Sequence, residues 1–415
     1  MSEFFDALET RDPGQREAQL MAALPQQVAH AQQATPAFAA ILQGVDAQAV
    51  TSREALARLP VTRKHELLER QQAQRASDPF GGFSALQRGP AMPRAYASPG
   101  PIYEPEGAGK DYWRAARALY AAGLRSGDLV HNAFSYHMTP GAFIMESGAH
   151  AIGCTVFPAG TGQTEQQLQA IAELRPSAYT GTPSFLRILV EKAQEAGADI
   201  SSIRKGLVGG EAFPPSLRDW FAERGMAIYQ SYATADLGLI AYETTPREGL
   251  VLDEGVVVEI VRPGTGDPVA PGEVGELVVT TLNAGYPLIR VGTGDLSAVL
   301  PGACPTGRSN TRIKGWLGRA DQTTKIRGMF VHPGQVADIA RRFPEVLKAR
   351  LVVNGEMAND IMTLQVEAAG APQGLHERIG EAIRDVTKLR GEVQLLAPGS
   401  LPNDGKVIED ARSYK

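Results

Sequence analysis

The chain has 415 residues, of which 43% are hydrophobic and 21% are charged, and its formal net charge is −5. This length and composition exclude a disordered protein and allow one large core with a second, smaller domain. The acidic balance argues against nucleic acid and anionic membranes as partners. Two cysteines, Cys154 and Cys304, are too few for a disulfide framework. No apolar run reaches spanning length and no signal-peptide core precedes the first helix, so we expect a cytoplasmic protein without membrane contact.

The N-terminal region predicts helices. Residues 14–75 are rich in alanine, glutamine and leucine, and Thr62 precedes a helix-like stretch that it could cap. Arg63 and Lys64 begin this stretch, where the helix dipole disfavours positive charge. We therefore expect another part of the protein to bind these two side chains.

Residues 76–109 are rich in glycine, proline and serine and show little periodicity, which predicts a long loop with a functional role. The tetrapeptide Gly-Ala-Gly-Lys at 107–110 is similar to part of a Walker loop. The full pattern is not met, because residue 104 is glutamate instead of glycine and residue 111 is aspartate instead of serine or threonine.

Strands and helices alternate from Lys110 to Tyr232, which predicts a doubly wound, mainly parallel sheet. Ligands of such sheets bind beyond the carboxyl ends of the strands. Four predicted strand ends carry candidate site residues: Phe134, Tyr136, His137 and Met138; Thr180, Gly181 and Thr182; Gly209, Gly210 and Glu211; and Ser231, Tyr232, Ala233, Thr234, Ala235 and Asp236. Taken alone, the glycine pair is better explained by a tight turn, and a solvated strand end would explain the polar residues after the first strand equally well.

The last third of the chain changes character. Alternating apolar residues in 249–300 predict an antiparallel β-subdomain, and short strands with two helices follow residue 321. We therefore expect an α/β fold with a large N-terminal domain over residues 1–320, built on doubly wound, mainly parallel sheets plus the antiparallel subdomain. A small α+β domain is expected over residues 321–415.

Two runs near the predicted boundary resemble the adenylate-forming superfamily and, within it, the phenylacetate–coenzyme A ligase branch. Leu-Ile-Arg-x-x-Thr-Gly-Asp-Leu spans 288–296, and Gly-Arg-x-Asp-x-x-x-Lys-Ile-Arg-Gly spans 318–328. Leu-Pro-x-Thr-x-Lys at 59–64 extends the resemblance towards the start of the chain. The order and spacing of these runs are far more specific than any one of them.

The resemblance implies roles for individual residues. Nucleotide binding falls to Gly209, Gly210, Glu211, Ser231, Tyr232, Ala233, Asp295 and Arg319. Tyr232 would stack on the adenine, and Asp295 would bind the ribose hydroxyls. Thr234 would reach the phosphates, and Asp236 would hold magnesium where the family has glutamate. Lys406 would be the catalytic lysine.

The resemblance also implies ATP, Mg²⁺ and coenzyme A (CoA) as cofactors and a small, aromatic carboxylic acid as substrate. The C-terminal domain would be a lid that turns about Asp321 and opens a thiol channel lined near Gly328. Tyr136, His137 and Gly181 are candidate walls of the acid pocket. The sequence does not decide whether the protein forms a homodimer.

The phosphate loop departs from the family. It should lie at 97–107, where this chain has prolines and the two acidic residues Glu104 and Glu106. Prolines remove N–H donors, and glutamates repel a triphosphate. Either the glutamates point away, or they carry magnesium, or the segment belongs to the acid pocket. In the last case phosphate binding would fall to Lys110 and to the backbone of Ser231–Thr234.

A second departure concerns zinc. Members of this branch often carry a zinc site, but the matching positions here are Thr244 and Val251, and Cys304 alone does not make one. Three functions remain open at this stage: an acid–CoA ligase, an adenylating enzyme that passes its acyl group to an amine or a carrier protein, and a nucleotide- or acyl-binding protein without turnover.

Overall fold

The computed structural model describes residues 3–262, 265–320, 324–327, 329–331, 333–356, 359–370, 372–402 and 406–412. The chain divides into two compact units. The first comprises Met1–Phe213 and Leu217–Leu317, and the second comprises Pro214–Ser216 and Gly318–Lys415.

The elements up to residue 317 alternate between helices and strands. The helices are α1 (Pro13–Ala34), α2 (Pro36–Ile41), α3 (Arg53–Ala57), α4 (Lys64–Gln74), α5 (Ala116–Ala121), α6 (Gly141–Ile152), α7 (Thr164–Leu174), α8 (Pro183–Ala196) and α9 (Pro215–Ala222). The strands are β1 (Thr62–Arg63), β2 (Arg94–Ser98), β3 (Ile102–Glu106), β4 (Leu129–Asn132), β5 (Thr155–Phe157), β6 (Ala178–Gly181), β7 (Lys205–Val208), β8 (Ala227–Thr234), β9 (Gly238–Glu243), β10 (Leu250–Leu252), β11 (Val256–Val261), β12 (Gly275–Thr281), β13 (Val291–Ser297), β14 (Val299–Leu300) and β15 (Arg312–Ile313).

Two large sheets organise these elements. Within the described residues, the first has the strand order β14-β15-β10-β9-β8-β7-β6-β4-β5. Strands β5, β4, β6, β7 and β8 run parallel, and the remaining pairs are antiparallel. In the second sheet, β1 is parallel to β13, and β13, β12 and β11 are antiparallel. The predicted α/β fold with an antiparallel subdomain is confirmed.

Helix α8 shows how local sequence fixes the boundaries of an element. The Thr182 hydroxyl accepts a hydrogen bond from the backbone N–H of Phe185, and Pro183 occupies the first turn. Gly197 ends the helix in the left-handed conformation at φ +65°. The helix therefore starts directly after β6 and carries the chain away from the carboxyl edge of the sheet.

Helix α4 begins differently from the prediction. Thr62 does not cap it but lies in β1, which pairs with β13. The Glu66 side chain instead accepts from the backbone N–H of Arg63 at 2.8 Å. The expectation that Arg63 and Lys64 are bound elsewhere is confirmed, since Arg63 pairs with Glu276 and the Lys64 ammonium lies 3.2 Å from a carboxylate oxygen of Asp236.

The segment predicted as a loop over residues 76–109 contains an antiparallel hairpin of β2 and β3. The prediction of a continuous loop was wrong because Pro99, Pro101 and Pro105, which usually argue against strands, lie in or beside this local hairpin. Gly100 lies at the hairpin turn with φ +154°, a conformation that favours glycine.

The second unit is a small α+β structure. Its elements are β16 (Gly318–Arg319), β17 (Thr324–Ile326), β18 (Met329–Val331), α10 (Pro333–Arg341), β19 (Val346–Glu356), β20 (Asn359–Ala368), α11 (Leu375–Thr387), β21 (Glu392–Leu396) and β22 (Ile408–Asp410). A sheet in the order β21-β20-β19-β22 packs with α10 and α11 around its own buried cluster of aliphatic side chains. Among the described residues of the whole chain, no helix combines the length and apolarity that a membrane crossing requires.

Candidate active site

The parallel strands bring the predicted strand ends together. Strands β4, β6, β7 and β8 are neighbours, so their carboxyl ends share one edge of the sheet. The Gly209 N–H donates to the carbonyl of Gly181 at 3.2 Å. A Cβ added to Gly209 would lie 3.2 Å from the Ser231 carbonyl oxygen and 4.0 Å from the Phe134 ring. The small residue thus keeps a narrow space open between three strand ends.

Asp295 is held by two aromatic side chains. The Tyr232 hydroxyl donates to Oδ2 at 2.7 Å, and the Trp316 indole Nε1 donates to Oδ1 at 3.1 Å. The carboxylate is buried, and its own backbone N–H donates to the Thr293 hydroxyl. These hydrogen bonds fix the orientation of the Asp295 carboxylate. Sequence reasoning did not identify Trp316. A single tryptophan between the two family runs has no pattern of its own, so the sequence carried no signal for it.

A second carboxylate, Asp236, lies in a turn after β8. The Thr234 hydroxyl donates to Asp236 Oδ1 at 2.6 Å, and Lys64 Nζ approaches the same oxygen at 3.2 Å. Asp236 is buried, whereas the Lys64 side chain retains 35% exposure. A partly exposed ammonium beside a buried carboxylate is suited to contact an anion that arrives from solvent. Sequence reasoning found Lys64 out of place but did not assign it to the site.

The hairpin separates the roles of its two glutamates, although both lie on one face of β3. Glu106 accepts from Arg94 at 2.7 Å, from Trp113 Nε1 at 3.2 Å and from the Tyr96 hydroxyl. It is therefore a structural residue of the hairpin.

Glu104 makes different contacts from those of Glu106. The Ser98 hydroxyl donates to its Oε1 at 2.5 Å, while its Oε2 is buried without a hydrogen-bond partner among the described residues. Burial raises the pKa of Glu104 to about 8; Ser98 opposes this shift, nearby Asp236 adds to it, and Lys64 opposes it. The charges of Asp236 and Lys64 thus act on the Glu104 carboxyl.

The candidate wall residues of the acid pocket differ in their burial and in their contacts. The half-buried Tyr136 hydroxyl donates to Glu146 at 2.6 Å and accepts from Asn132 at 2.8 Å, and burial raises its pKa. Its ring meets Phe143 edge to face. His137 is exposed.

Local packing and backbone conformation explain why small residues occur at the strand ends. A Cβ on Gly181 would lie 2.2 Å from the Tyr179 hydroxyl, so packing within β6 already requires glycine there. Gly210 has φ +76°, and Glu211 is exposed and accepts from Ser184 at 2.5 Å. Ala233 follows the bulge between β8 and β9. None of these observations tests nucleotide binding, so the roles of Gly210, Glu211 and Ala233 stay predictions.

Four predicted residues belong to the C-terminal part of the chain. Asp321 and Gly328 lie outside the described residues. Arg319 is in β16, and Lys406 is exposed shortly before β22. Their roles therefore stay predictions.

The residues present suit a magnesium ion. Mg²⁺ is usually bound by one or two carboxylates together with substrate phosphates, and the buried Asp236 offers one carboxylate with the Thr234 hydroxyl beside it. No group of three or more His, Cys, Asp or Glu residues that could hold a metal occurs in the part of the chain that the structure describes. The buried Cys304 contacts the hydroxyls of Thr244 and Thr306 at 4.0 and 3.1 Å.

Comparison with known proteins identifies relatives along the whole chain. Residues 165–284 match the family described as AMP-binding enzyme. The phenylacetate–coenzyme A ligase of Thermus thermophilus is 32% identical over 90% of this chain and 91% of its own length. The enzyme of the same name from Escherichia coli is 31% identical over 85% of this chain and 84% of its own. The crystal structure of a 2-hydroxyisobutyryl-CoA ligase with 2-HIB-AMP and CoA has the same fold, with 24% identity and a TM-score of 0.82 over 100% of this chain and 93% of that one.

Proposed function

We propose, because the chain belongs to the phenylacetate–coenzyme A ligase family of AMP-binding enzymes, that its substrate is a small aromatic carboxylic acid. As a member of this family, the protein is an acid–CoA ligase that uses ATP, Mg²⁺ and CoA and acts through an acyl-adenylate. One observation carries this choice. Phe134 lies within 4.0 Å of the Cβ positions of Gly209 and Gly210, and Tyr136 and Phe143 pack edge to face after the same strand. A flat, apolar acid suits walls of this kind.

The first half-reaction joins the acid to AMP. A carboxylate oxygen attacks the α-phosphorus of ATP, the bond to the β-phosphate oxygen breaks, and pyrophosphate leaves. Asp295 binds the ribose hydroxyls while Tyr232 and Trp316 hold its carboxylate in place. Gly209, Gly210 and Glu211 line the adenine, with Ser231 and Ala233 beside Tyr232.

Negative charge grows on the phosphoryl oxygens during this step, so cations matter more than a base. Lys64 contributes one from α4, and Lys406 contributes another from the second unit. Asp236, with Thr234 beside it, is the residue that would hold Mg²⁺. When bound, the ion supplies charge neutralisation at the phosphates.

The second half-reaction forms the thioester. The sulfur of CoA attacks the acyl carbon, and AMP leaves with the electron pair of the broken acyl–oxygen bond. In this proposal residues 321–415 act as a lid on the domain of residues 1–320. A turn about Asp321, next to Arg319, withdraws Lys406 and admits CoA past Gly328.

A panel of carboxylic acids tests the substrate class. We expect acid-dependent ATP–pyrophosphate exchange with phenylacetate and substituted aryl acids at kcat/KM values about two- to tenfold above those for aliphatic acids of similar size, since aromatic pairs contribute about 0.5–1.5 kcal/mol beyond the area that they bury. Preference for aliphatic acids would contradict an aromatic pocket. Repeating the assay with CoA, with amines and with hydroxylamine distinguishes a thiol acceptor from an amine acceptor.

One observation favours the alternative of a binding protein without turnover. The buried Glu104 carboxyl lies in the segment that should cradle phosphates, and the charge of Asp236 raises its pKa further. A wild-type protein that binds no ATP in calorimetry and gives no exchange with any acid would support that alternative.

A further inference from the structure

Two charged side chains bind the backbone of residues 397–402, the anchored turn, which precedes Lys406 in the sequence. The Lys348 ammonium donates to the carbonyl of Pro402 at 2.8 Å and lies 3.5 Å from the carbonyl oxygen of Leu401. The Glu367 carboxylate accepts from the backbone N–H of Leu401 at 2.5 Å. Hydrogen bonds with one ionised partner are about twice as strong as those between neutral groups. The anchored turn is thus bound both through an N–H donor and through its carbonyl acceptors.

The register of β19 and β20 brings the two charged residues together. Lys348 lies directly opposite Glu367, and a bulge between Val346 and Lys348 produces this register. Directly opposite residues of an antiparallel pair project from the same face of a sheet, and a bulge re-aims the side chains that follow it. Both side chains therefore reach the anchored turn from one face of the same sheet.

The anchored turn is also ordered by its own residues. The backbone N–H and the hydroxyl of Ser400 donate to the Ala397 carbonyl at 3.2 and 2.7 Å. The Leu401 side chain is buried, and Pro398 and Pro402 have a fixed φ. These features leave the turn few alternative conformations, so that its contacts with Lys348 and Glu367 fix it as a unit.

Lys406 is restrained from its C-terminal side as well. The carbonyl of the next residue, Val407, accepts from the backbone N–H of Leu351 at 2.9 Å. Ile408 then begins β22, which pairs in parallel with β19 opposite Leu351. Lys406 thus belongs to a short stretch of sequence with both of its ends bound to β19, one through Lys348 and the other through strand pairing.

We propose that Lys348 and Glu367 are positioning residues for Lys406, which hold the anchored turn so that the catalytic lysine is correctly placed in the adenylation step. The inference rests on the proposed function, because the role of Lys406 in adenylation belongs to that proposal. Catalysis by a placed group is sensitive to small displacements, and a shift of about 1 Å can cost about 10²-fold in rate. The charge of Lys406 acts on the transition state, so releasing the turn should lower kcat and leave KM for the acid unchanged.

A double-mutant cycle of Lys348→Met and Lys406→Ala tests the inference on the full chain. Single-turnover adenylation is measured with ATP and the acid that gives the fastest pyrophosphate exchange. We expect Lys348→Met to slow adenylation by about tenfold when Lys406 is present, which is within the loss that a small misplacement causes. In the Lys406→Ala background the same change should alter the rate by less than about twofold, because a residue that acts only through Lys406 then has nothing to position.

Further variants distinguish positioning from general damage to the second unit. Lys348→Arg keeps a charged donor for the two carbonyls and should recover most of the lost rate. Arg378→Met removes a cation that binds Glu345 at 3.0 Å in the same unit, and it should leave both half-reactions unchanged. Thioester formation from a supplied acyl-adenylate should also be unchanged in Lys348→Met.

Two results would overturn the inference. One is the same loss from Lys348→Met in both backgrounds, since Lys348 would then not act through Lys406. The other is a wild-type adenylation rate in Lys348→Met. If Lys348→Met does not unfold cooperatively on heating, Glu367→Gln, which removes the charge but keeps the shape, replaces it in the cycle under the same criteria. Failure of the proposed function gives a different result, because Lys406→Ala alone would then adenylate at the wild-type rate.

Discussion

At the scale of single residues, the site depends on contacts between side chains far apart in the sequence. Lys64 reaches Asp236 across 172 positions, and Tyr232 reaches Asp295 across 63. The Lys64 contact places a cation beside Asp236, which a run of residues at 59–64 did not indicate by itself. We predict that this ammonium contacts a phosphate.

The first prediction concerns Lys64. Lys64→Met should lower kcat/KM for ATP in pyrophosphate exchange by about 10- to 100-fold, because a charged hydrogen bond contributes about 1.5–3 kcal/mol. Thioester formation from a supplied acyl-adenylate should continue. Steady-state kinetics of both half-reactions give the comparison.

Lys110→Met is the matched control, since Lys110 is exposed and was the alternative phosphate ligand. If Lys110→Met loses as much exchange activity as Lys64→Met, the phosphates are not bound by Lys64 in particular.

Sequence reasoning reached the residue types of the site but not all of its members. It named Asp236, Thr234, Tyr232 and Asp295 because family runs carry them. It could not name Trp316 as a partner of Asp295, since a single indole between two runs has no pattern of its own.

At the scale of elements, the alternation of strands and helices was sufficient to predict the sheet and the edge that carries the site. The exception is the hairpin of β2 and β3. Proline and glycine dominate its sequence and argue for a loop. Side chains outside the two strands also support the pairing. One of them is Trp113, whose indole donates a hydrogen bond to Glu106. No local pattern reports such a contact.

The second prediction concerns Glu106, whose hydrogen bonds support this hairpin. Glu106→Gln should lower the free energy of unfolding by about 2 kcal/mol, because it weakens charged hydrogen bonds to Arg94, Tyr96 and Trp113 inside the protein. Chemical denaturation gives the value. A variant of unchanged stability would show that these hydrogen bonds do not stabilise the hairpin.

At the scale of the whole molecule, the chain consists of two compact units, each with its own buried cluster. Asp236 and Asp295 belong to the first unit and Lys406 to the second. An enzyme that runs two reactions with one bound intermediate needs groups that act in one step and leave in the other. We predict that Lys406, which lies on the second unit, is such a group.

The last prediction concerns the position of Lys406 on a different unit from Asp236 and Asp295. Lys406→Ala should reduce the adenylation rate by about 10²- to 10³-fold, which is the usual effect of removing one group that stabilises charge in a transition state. Conversion of a supplied acyl-adenylate to the thioester should proceed within about a factor of three of wild type, since the lysine has withdrawn by then. Single-turnover measurements of the two steps give both numbers. Arg412→Lys, a change elsewhere on the same unit that retains a charge, controls for damage to the unit itself. Equal losses in both half-reactions of Lys406→Ala would show that Lys406 stays in place throughout, and a lid with two positions would then have no role for it.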